Sequence, residues 1–372
     1  MMIKRKIWGF VFVVLALMII LSGCESGSSG ELSDVKDVRI FAGSVGPGDF
    51  INIEVNVTDG YLDYEVKALT NPSVIVEQDR IGFSKPGSDF YVMDNDDRFL
   101  MLGDEVLIAT DKAVDEDTGE EIITALKEMD SNEANQISGK YNIITSLEGA
   151  PGIVDFQSGG IVEIKIDLDG NGSYSEDEES FTADYSYKDD YKALEMIENN
   201  NGLFKHYGVF LDGDIGIFDS YVENDSGSLE GDGMSILVKQ NLDSQLSDFA
   251  GTYNFIDVDG YNGEISISIN NDNTIDLTFL TDDDSGTERV GPVSNFDENT
   301  NPGLWSFRTD MSGNGSEELW TMMLFEKVGK EILIVGVTED GGTINEAEDK
   351  YDGLFGWDGD ESHGGMIIGV KQ

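Results

Sequence analysis

The chain is 372 residues long and carries 74 Asp and Glu against 23 Lys and Arg, a formal net charge of −51. That excess repels phosphate, which excludes nucleic acid as a partner and excludes attachment to anionic headgroups through charge. The single cysteine, Cys24, excludes an internal disulfide framework and any multi-cysteine metal site, whereas 39% hydrophobic and 10% aromatic content is enough to build folded cores.

At the amino terminus, Lys4, Arg5 and Lys6 precede an uncharged run from Ile7 to Leu21 that is interrupted only by Gly9. The run is shorter than the roughly 20 residues a membrane-spanning helix needs and matches a signal-peptide core. It ends in Leu21-Ser22-Gly23-Cys24, which closely resembles the lipobox of bacterial lipoproteins. The resemblance implies cleavage after Gly23 and acylation of the Cys24 thiol. Residues 1–23 are therefore read as a cleaved signal, and residues 24–32, rich in Ser and Gly, as the lipidated cysteine with a flexible tether. Two acyl chains hold a protein on a membrane where one does not. The expected location is the cell envelope, lipid-anchored and extracytoplasmic, at an outer membrane or cell surface.

Beyond the tether, short alternating runs are broken by Gly, Asn and Asp. Phe50–Val57, Ile161–Ile166, Gly263–Ile269 and Thr274–Leu280 each alternate apolar with polar residues, the pattern of antiparallel strands half buried on a core. The clearest helical pattern runs from about Gly119 to Asn132, where Ile122, Ile123, Leu126 and Met129 are spaced for one helix face, and 191–199 is a second candidate. The expected fold is all-β, tandem antiparallel modules (meander barrels or sandwiches) with one or two short helices.

An internal repeat sets the module boundaries. Gly139-Lys-Tyr-Asn-Ile-Ile144 matches Gly251-Thr-Tyr-Asn-Phe-Ile256, and Gly233-Met-Ser-Ile-Leu-Val-Lys-Gln240 matches Gly365-Met-Ile-Ile-Gly-Val-Lys-Gln372. Two units thus open and close alike, each opening preceded by a segment with room for a short helix, the second of these at Asn241–Asp248. The reading is a diverged β module at 33–115, a helical linker at 116–136, and β modules at 137–240 and 241–372. The Gly-x-Tyr openings resemble the Gly-x-Trp start of lipocalin-like barrels, with Tyr141 and Tyr253 in place of Trp. That likeness implies a barrel fold and an apolar ligand.

One segment carries a site motif. Asp167-Leu-Asp169-Gly-Asn171-Gly172-Ser173-Tyr-Ser175-Glu-Asp-Glu178 fits D-x-[DN]-x-[DN]-G-x5-E at every defined position. Calcium is a hard cation that takes six to eight oxygens, and a chain wound round it presents alternate side chains inward. The loop resembles that of an EF-hand. The resemblance makes Asp167, Asp169, Asn171, Ser173 (through its carbonyl), Ser175 and Glu178 the calcium ligands. Its flanks differ from that family, because Val162, Ile164 and Ile166 before it, and Phe181, Ala183 and Tyr185 after it, alternate as strands. A strand–loop–strand clip is expected, with little opening motion. The competing reading is an acidic hairpin tip, and Asn270–Asn273, taken as the equivalent place in the next repeat, is a plain turn. Asp310–Ser316 begins like the motif but has Thr321 at its last position, and Asp212-Gly-Asp214 and Asp358-Gly-Asp360 read as acidic turns.

No G-x-S-x-G elbow, G-x-x-x-x-G-K loop or H-E-x-x-H helix occurs, and His206 and His363 lack a nucleophile pattern beside them. The expected function is a non-enzymatic binding or surface-interaction module on a lipid anchor, with calcium as its cofactor and a protein, glycan or apolar molecule as partner. The alternatives are a lipocalin-like carrier of apolar small molecules and, third, a carbohydrate-active enzyme working through carboxylates. The anchor has a direct readout: labelled palmitate enters the wild type in a bacterial host and does not enter Cys24→Ala, whereas label in the variant defeats the assignment.

Overall fold

Alternating segments joined by tight turns pair with their chain neighbours, so consecutive strands build antiparallel sheets. A computed structural model of the chain describes residues 37–45, 49–67, 74–85, 90–95, 97–112, 120–146, 149–167, 174, 180–199, 204–223, 229–257, 262–281, 285–296, 301–309, 318–339 and 365–372. All of them lie in one unit, Lys36–Gln372. The first sheet runs β1 (Val38–Val45), β2 (Asp49–Asn56), β3 (Tyr61–Lys67), β4 (Ile75–Ser84), β5 (Tyr91–Met93), β6 (Arg98–Leu102), β7 (Val106–Lys112) and β8 (Glu120–Lys127), and closes as a barrel in chain order. A second closed barrel follows: β9 (Gly139–Thr145), β10 (Pro151–Gln157), β11 (Ile161–Ile166), β12 (Ser180–Lys188), β13 (Ala193–Glu198), β14 (Phe204–Leu211), β15 (Ile215–Glu223) and β16 (Leu229–Lys239).

The third sheet comprises β17 (Gly251–Asp257), β18 (Asn262–Ile269), β19 (Ile275–Thr281), β20 (Ser285–Val290), β21 (Ser294–Asn295), β22 (Trp305–Thr309), β23 (Glu318–Lys327), β24 (Lys330–Glu339) and β25 (Gly365–Lys371). It is nine-stranded, in the order β20-β19-β18-β17-β25-β24-β23-β22-β21. The fold is all-β, as the alternation predicts.

Two expected helices are strands instead. Residues 120–127 form β8, which closes the first barrel against β1, and 193–198 form β13. The first module therefore extends through Lys127, past its expected end at 115, and the helical linker shrinks to one turn, α1 (Ser131–Ala134). Asp130 caps that turn by accepting from the N–H groups of Asn132 and Glu133, and Glu133 accepts from Asp130 in return. The physical reason is burial on two faces. Ile123 and Ala125 of β8 point into the first barrel, Ile122 and Leu126 point away into a second apolar cluster, and Met129 reaches the second barrel. Before β17 the expected short helix is a single 3-10 turn, Leu246–Phe249.

The repeat is exact in register and extends to the first module. Tyr141 pairs with Lys239 and Tyr253 with Lys371, and Phe41 pairs with Lys127 in the same way. In the last two modules the lysine lies over its tyrosine ring, Nζ to centroid 5.9 Å and 5.7 Å. By strand order the 167–178 segment joins the third and fourth strands of its barrel. Its counterpart in the next module is therefore 282–284, and Asn270–Asn273 corresponds instead to the β10–β11 turn.

Each sheet encloses its own core, rich in rings: Phe41 and Phe99 in the first, Tyr141, Phe156, Phe210 and Phe218 in the second, Tyr253, Phe255, Phe279 and Trp320 in the third. A fourth core lies among the outer faces of all three sheets. Leu100 and Ile122 of the first, Val209 and Ile236 of the second, and Ile334 and Ile368 of the third belong to it. Burying each such side chain contributes about 1.5–3 kcal/mol, so the modules stabilise one another.

The second and third sheets also meet backbone to backbone at Gly149 (φ +58°). A Cβ there would lie 2.3 Å from the Val337 carbonyl oxygen and 2.5 Å from that of Gly365. Gly149→Ala is expected to lower stability by about 2–4 kcal/mol, from strain at positive φ together with a clash that backbone cannot relieve. Denaturant unfolding followed through Trp305 and Trp320, both in the third sheet, measures it. An unchanged midpoint would mean that the two sheets do not meet at this point.

Candidate functional site

Strand β11 delivers the calcium motif. Val162 and Ile164 face the barrel interior, Glu163 and Lys165 pair across 3.1 Å on the outside, and Asp167 follows directly after the strand. Its backbone N–H donates to the Pro151 carbonyl at 2.9 Å, and the residue is 0% exposed. Of the six ligands expected from the sequence, Asp167 is described. Asp169, Asn171, Ser173, Ser175 and Glu178 lie outside the described residues, as does Cys24. So do the Asp310–Ser316 and Asp358–Asp360 segments and His363.

The second described residue of the motif, Tyr174, is tied to the third module. Its hydroxyl donates to Asn301 Oδ1 at 3.0 Å, and its ring lies 5.9 Å from that of Phe296. Asn301 is fully buried and anchors a knot of carboxamides. Its Nδ2 donates to the Gly152 carbonyl (3.0 Å) and to Asn142 Oδ1 (3.2 Å), Asn142 Nδ2 donates to the Pro302 carbonyl (3.0 Å), and Gln240 Nε2 donates to Asn142 Oδ1 (3.1 Å). A buried amide without partners costs roughly 1–3 kcal/mol, so a knot this well paired fixes the junction. The motif is thus met at its first position by a buried strand end and at Tyr174 by the neighbouring module. Phe296 also lines a cavity of about 300 Å³ at the seam of the third sheet, together with Pro292, Ser306, Phe307, Arg308 and Leu319.

Other buried ionisable groups lie apart from the motif. Asp219, 0% exposed, accepts from Ser44 Oγ at 2.5 Å and from Tyr221 Oη at 2.7 Å, and Tyr221 Oη in turn accepts from the Phe50 N–H at 2.8 Å. This chain of bonds ties the first barrel to the second. Glu318 accepts from Trp320 Nε1 at 2.7 Å. The acidic turn at Asp212 has a structural use, an ion pair of 2.6 Å with Lys327 across modules.

His206, read from the sequence as an ordinary surface or strand histidine, is a strand residue and is buried, not at the surface. It faces the interior of the second barrel on β14, its Nδ1 is 2.9 Å from Ser220 Oγ, and its ring stacks on Phe181 at 5.7 Å. Nε2 is buried without a hydrogen-bond partner among the described residues. Burial lowers its pKa from 6.5 to about 4. The sequence carries no sign of this, because Phe210 on its own face and Tyr207, Val209 and Leu211 on the other leave no alternation to read.

No family model matches the chain, and no curated protein matches it. Among solved structures it is similar to a protein of unknown function from the DUF3598 family of Nostoc punctiforme, at 8% identity and a TM-score of 0.26, covering 66% of this chain and 100% of that one. It is also similar to a putative outer membrane protein from Bacteroides fragilis, at 14% identity and a TM-score of 0.19, covering 64% and 99%. Likenesses at these scores carry no argument about function.

A depressed histidine pKa makes the second barrel acid-labile. Above pH 6.5 His206 is neutral whether the chain is folded or not. Below it the unfolded chain takes up the proton first, and stability falls until the folded-state value near 4 is reached. By pH 5 the loss is about 2 kcal/mol. Denaturant midpoints taken from pH 7 to 5 for the wild type and His206→Gln measure it, and parallel slopes would show that His206 does not titrate this way.

Proposed function

We propose that the chain is a lipid-anchored, extracytoplasmic protein of the bacterial envelope that works by binding, with calcium clipping the 167–178 loop at the junction of the second and third modules. The anchor rests on Leu21-Ser22-Gly23-Cys24 and the charged and apolar segments before it. The calcium reading is carried by the setting of the motif. Its first carboxylate, Asp167, belongs to a residue wholly withdrawn from water, and Tyr174 binds a buried asparagine of the next module. A free acidic hairpin tip would have neither feature. A buried carboxylate needs donors or a cation to offset lost hydration, and an all-oxygen donor set suits a hard divalent ion. Calcium would supply charge to offset Asp167, Asp169 and Glu178, while Tyr174 holds the loop's middle to Asn301.

Display, and not chemistry, is the proposed work of the barrels. The described interiors hold large side chains of their own, Phe156, Phe210 and Phe218 in the second barrel and Phe255, Phe279 and Trp320 in the third sheet. A carrier of apolar molecules would need that space, so the packing favours recognition by loops and strand edges. The partner class is a protein, a glycan or an apolar molecule met at the surface.

Calorimetric titration of the full-length, detergent-solubilised and chelator-stripped protein tests the clip. One site is expected, lost in Asp167→Ala/Glu178→Gln, with calcium at about a hundredfold over its dissociation constant adding about 2.7 kcal/mol of stability. Absence of heat and of any melting shift at about 1 mM calcium, within the range of extracellular sites, would leave 167–178 an acidic hairpin.

A further inference from the structure

The first barrel closes unevenly. Strand β4 pairs with β3 from Glu77 to Gly82 and, past a bulge at Val76, at Ile75, but with β5 only at Phe83 and Ser84. From Ile75 to Ile81, one side of β4 has no ladder partner among the described residues. Alternation fixes which groups stand there. The Phe83 N–H donates to Gly60 on the β3 side, and the Gly82 carbonyl accepts from Asp94 on the other. Gln78 and Arg80, in step with Gly82, therefore turn their N–H and C=O groups outward. Asp79 Oδ1 accepts from the Arg80 N–H at 2.7 Å, a carboxylate oxygen where an incoming strand would place its carbonyl.

The side chains repeat the anomaly. Val74, Ile75 and Val76 are 47%, 44% and 67% exposed, three large apolar residues in succession at the start of this edge. Isolated exposed apolar residues are ordinary, but a run of them at an unpaired strand edge is a template for another chain. The charge there is negative. Glu77 and Asp79 stand on the strand, whereas Arg80 is held by both Asp63 oxygens (2.5 and 2.6 Å) and lies 4.1 Å from the Tyr61 ring centroid.

We propose that the outer edge of β4, Ile75–Ile81, is a strand-addition site that takes an extended, lysine- or arginine-bearing segment of a partner polypeptide. A row of outward N–H and C=O groups is matched by another extended backbone, which fixes the class of ligand. Charge fixes the kind. A second copy of this chain is disfavoured, because symmetric antiparallel pairing centred on Gln78 sets Glu77 opposite Asp79, and pairing centred on Glu77 or Asp79 sets an acid opposite itself. The net charge of −51 adds to that repulsion. The proposal depends on neither the anchor nor the calcium loop.

The test uses full-length detergent-solubilised protein and fluorescent peptides of about eight residues, a typical strand length. One alternates Lys with Val, one alternates Glu with Val, and one keeps every Lys but replaces Val by Pro. Anisotropy should show the Lys/Val peptide binding at least about tenfold tighter than the other two. Gln78→Pro, tolerated in the fold because that N–H is not used by β3, should weaken binding about tenfold or more, and Gln78→Ala by less than about twofold. Amide hydrogen exchange on the wild type should show protection at 75–81 when the Lys/Val peptide binds. Equal binding of the Lys/Pro peptide, or unchanged binding by folded Gln78→Pro, would reduce the effect to charge attraction and overturn the proposal. Absence of binding, or binding without protection at 75–81, overturns it whether or not the proline variant folds. A concentration-dependent dimer abolished by Gln78→Pro would assign the edge to a second copy and overturn it equally.

Discussion

Three β modules that each filled only their own interior would present polar outer faces and would fold as beads on a string. Here the outer faces are themselves apolar and buried on one another, and most of the structure follows from that. Strands β24 and β25 show the rule: Leu333, Val335 and Ile367 fill the third sheet, while Ile332, Ile334, Met366 and Ile368 enter the shared core. Once two faces of a strand are dry, its backbone must find partners inside the sheet and its polar side chains must find them inside the junction. The Asn142–Asn301 knot and the Ser44–Asp219–Tyr221 chain meet that demand. They give the non-directional apolar contact a fixed geometry, because amide and hydroxyl bonds tolerate little misalignment.

The repeat explains where the shared core comes from. In each module the first strand pairs with the last, and this closing pair carries equivalent residues in equivalent register. Ile144 and Ile236 of the second module and Ile256 and Ile368 of the third all join the central cluster. The first module has Ser44 and Thr124 at those places, and the exchange has a physical reason for Ser44, whose hydroxyl bonds to Asp219 of the second barrel. At this pair the first module thus diverges where it must meet another unit. The interiors keep the same chemistry of rings and branched aliphatics.

Legibility in the sequence tracks the number of buried faces. Ile161–Ile166 and Gly263–Ile269 stand out as strands because one face is wet and the alternation is intact. Residues 120–127 read as a helix because Ile122, Ile123, Leu126 and Met129 belong to three different cores, and their combined spacing imitates a single helical face. The chemistry of the 167–178 loop is written in its spacing, but its setting is not. Asn301 and Phe296, which receive Tyr174, come from a stretch of Asn, Pro and Gly more than a hundred residues away with no apolar signal of its own. His206 is hidden by the same effect as β8, since β14 is buried on both faces, with Phe210 in its own barrel and Tyr207 and Val209 in the shared core.

Charge is handled differently inside and outside. The buried acids Asp219 and Glu318 are bonded by hydroxyl and indole donors, so their hydration is replaced by dipoles built into the fold. Outside, with 23 cations for 74 acids, side-chain ion pairs such as Arg80–Asp63, Arg289–Asp276 and Lys327–Asp212 reach only a minority of the carboxylates. Exposed pairs of this kind contribute little each, and they leave the surplus negative charge at the loops and strand edges. Compensation of that surplus has to come from outside the chain. On the proposed readings it takes two chemical forms: a hard divalent ion where carboxylates converge at loop spacing, and a cationic strand where they alternate along an open edge. The spacing of the acids, more than their number, decides which form a given segment accepts. A carboxylate at every second residue of a winding loop converges on a point, whereas the same residues along an extended strand address a line.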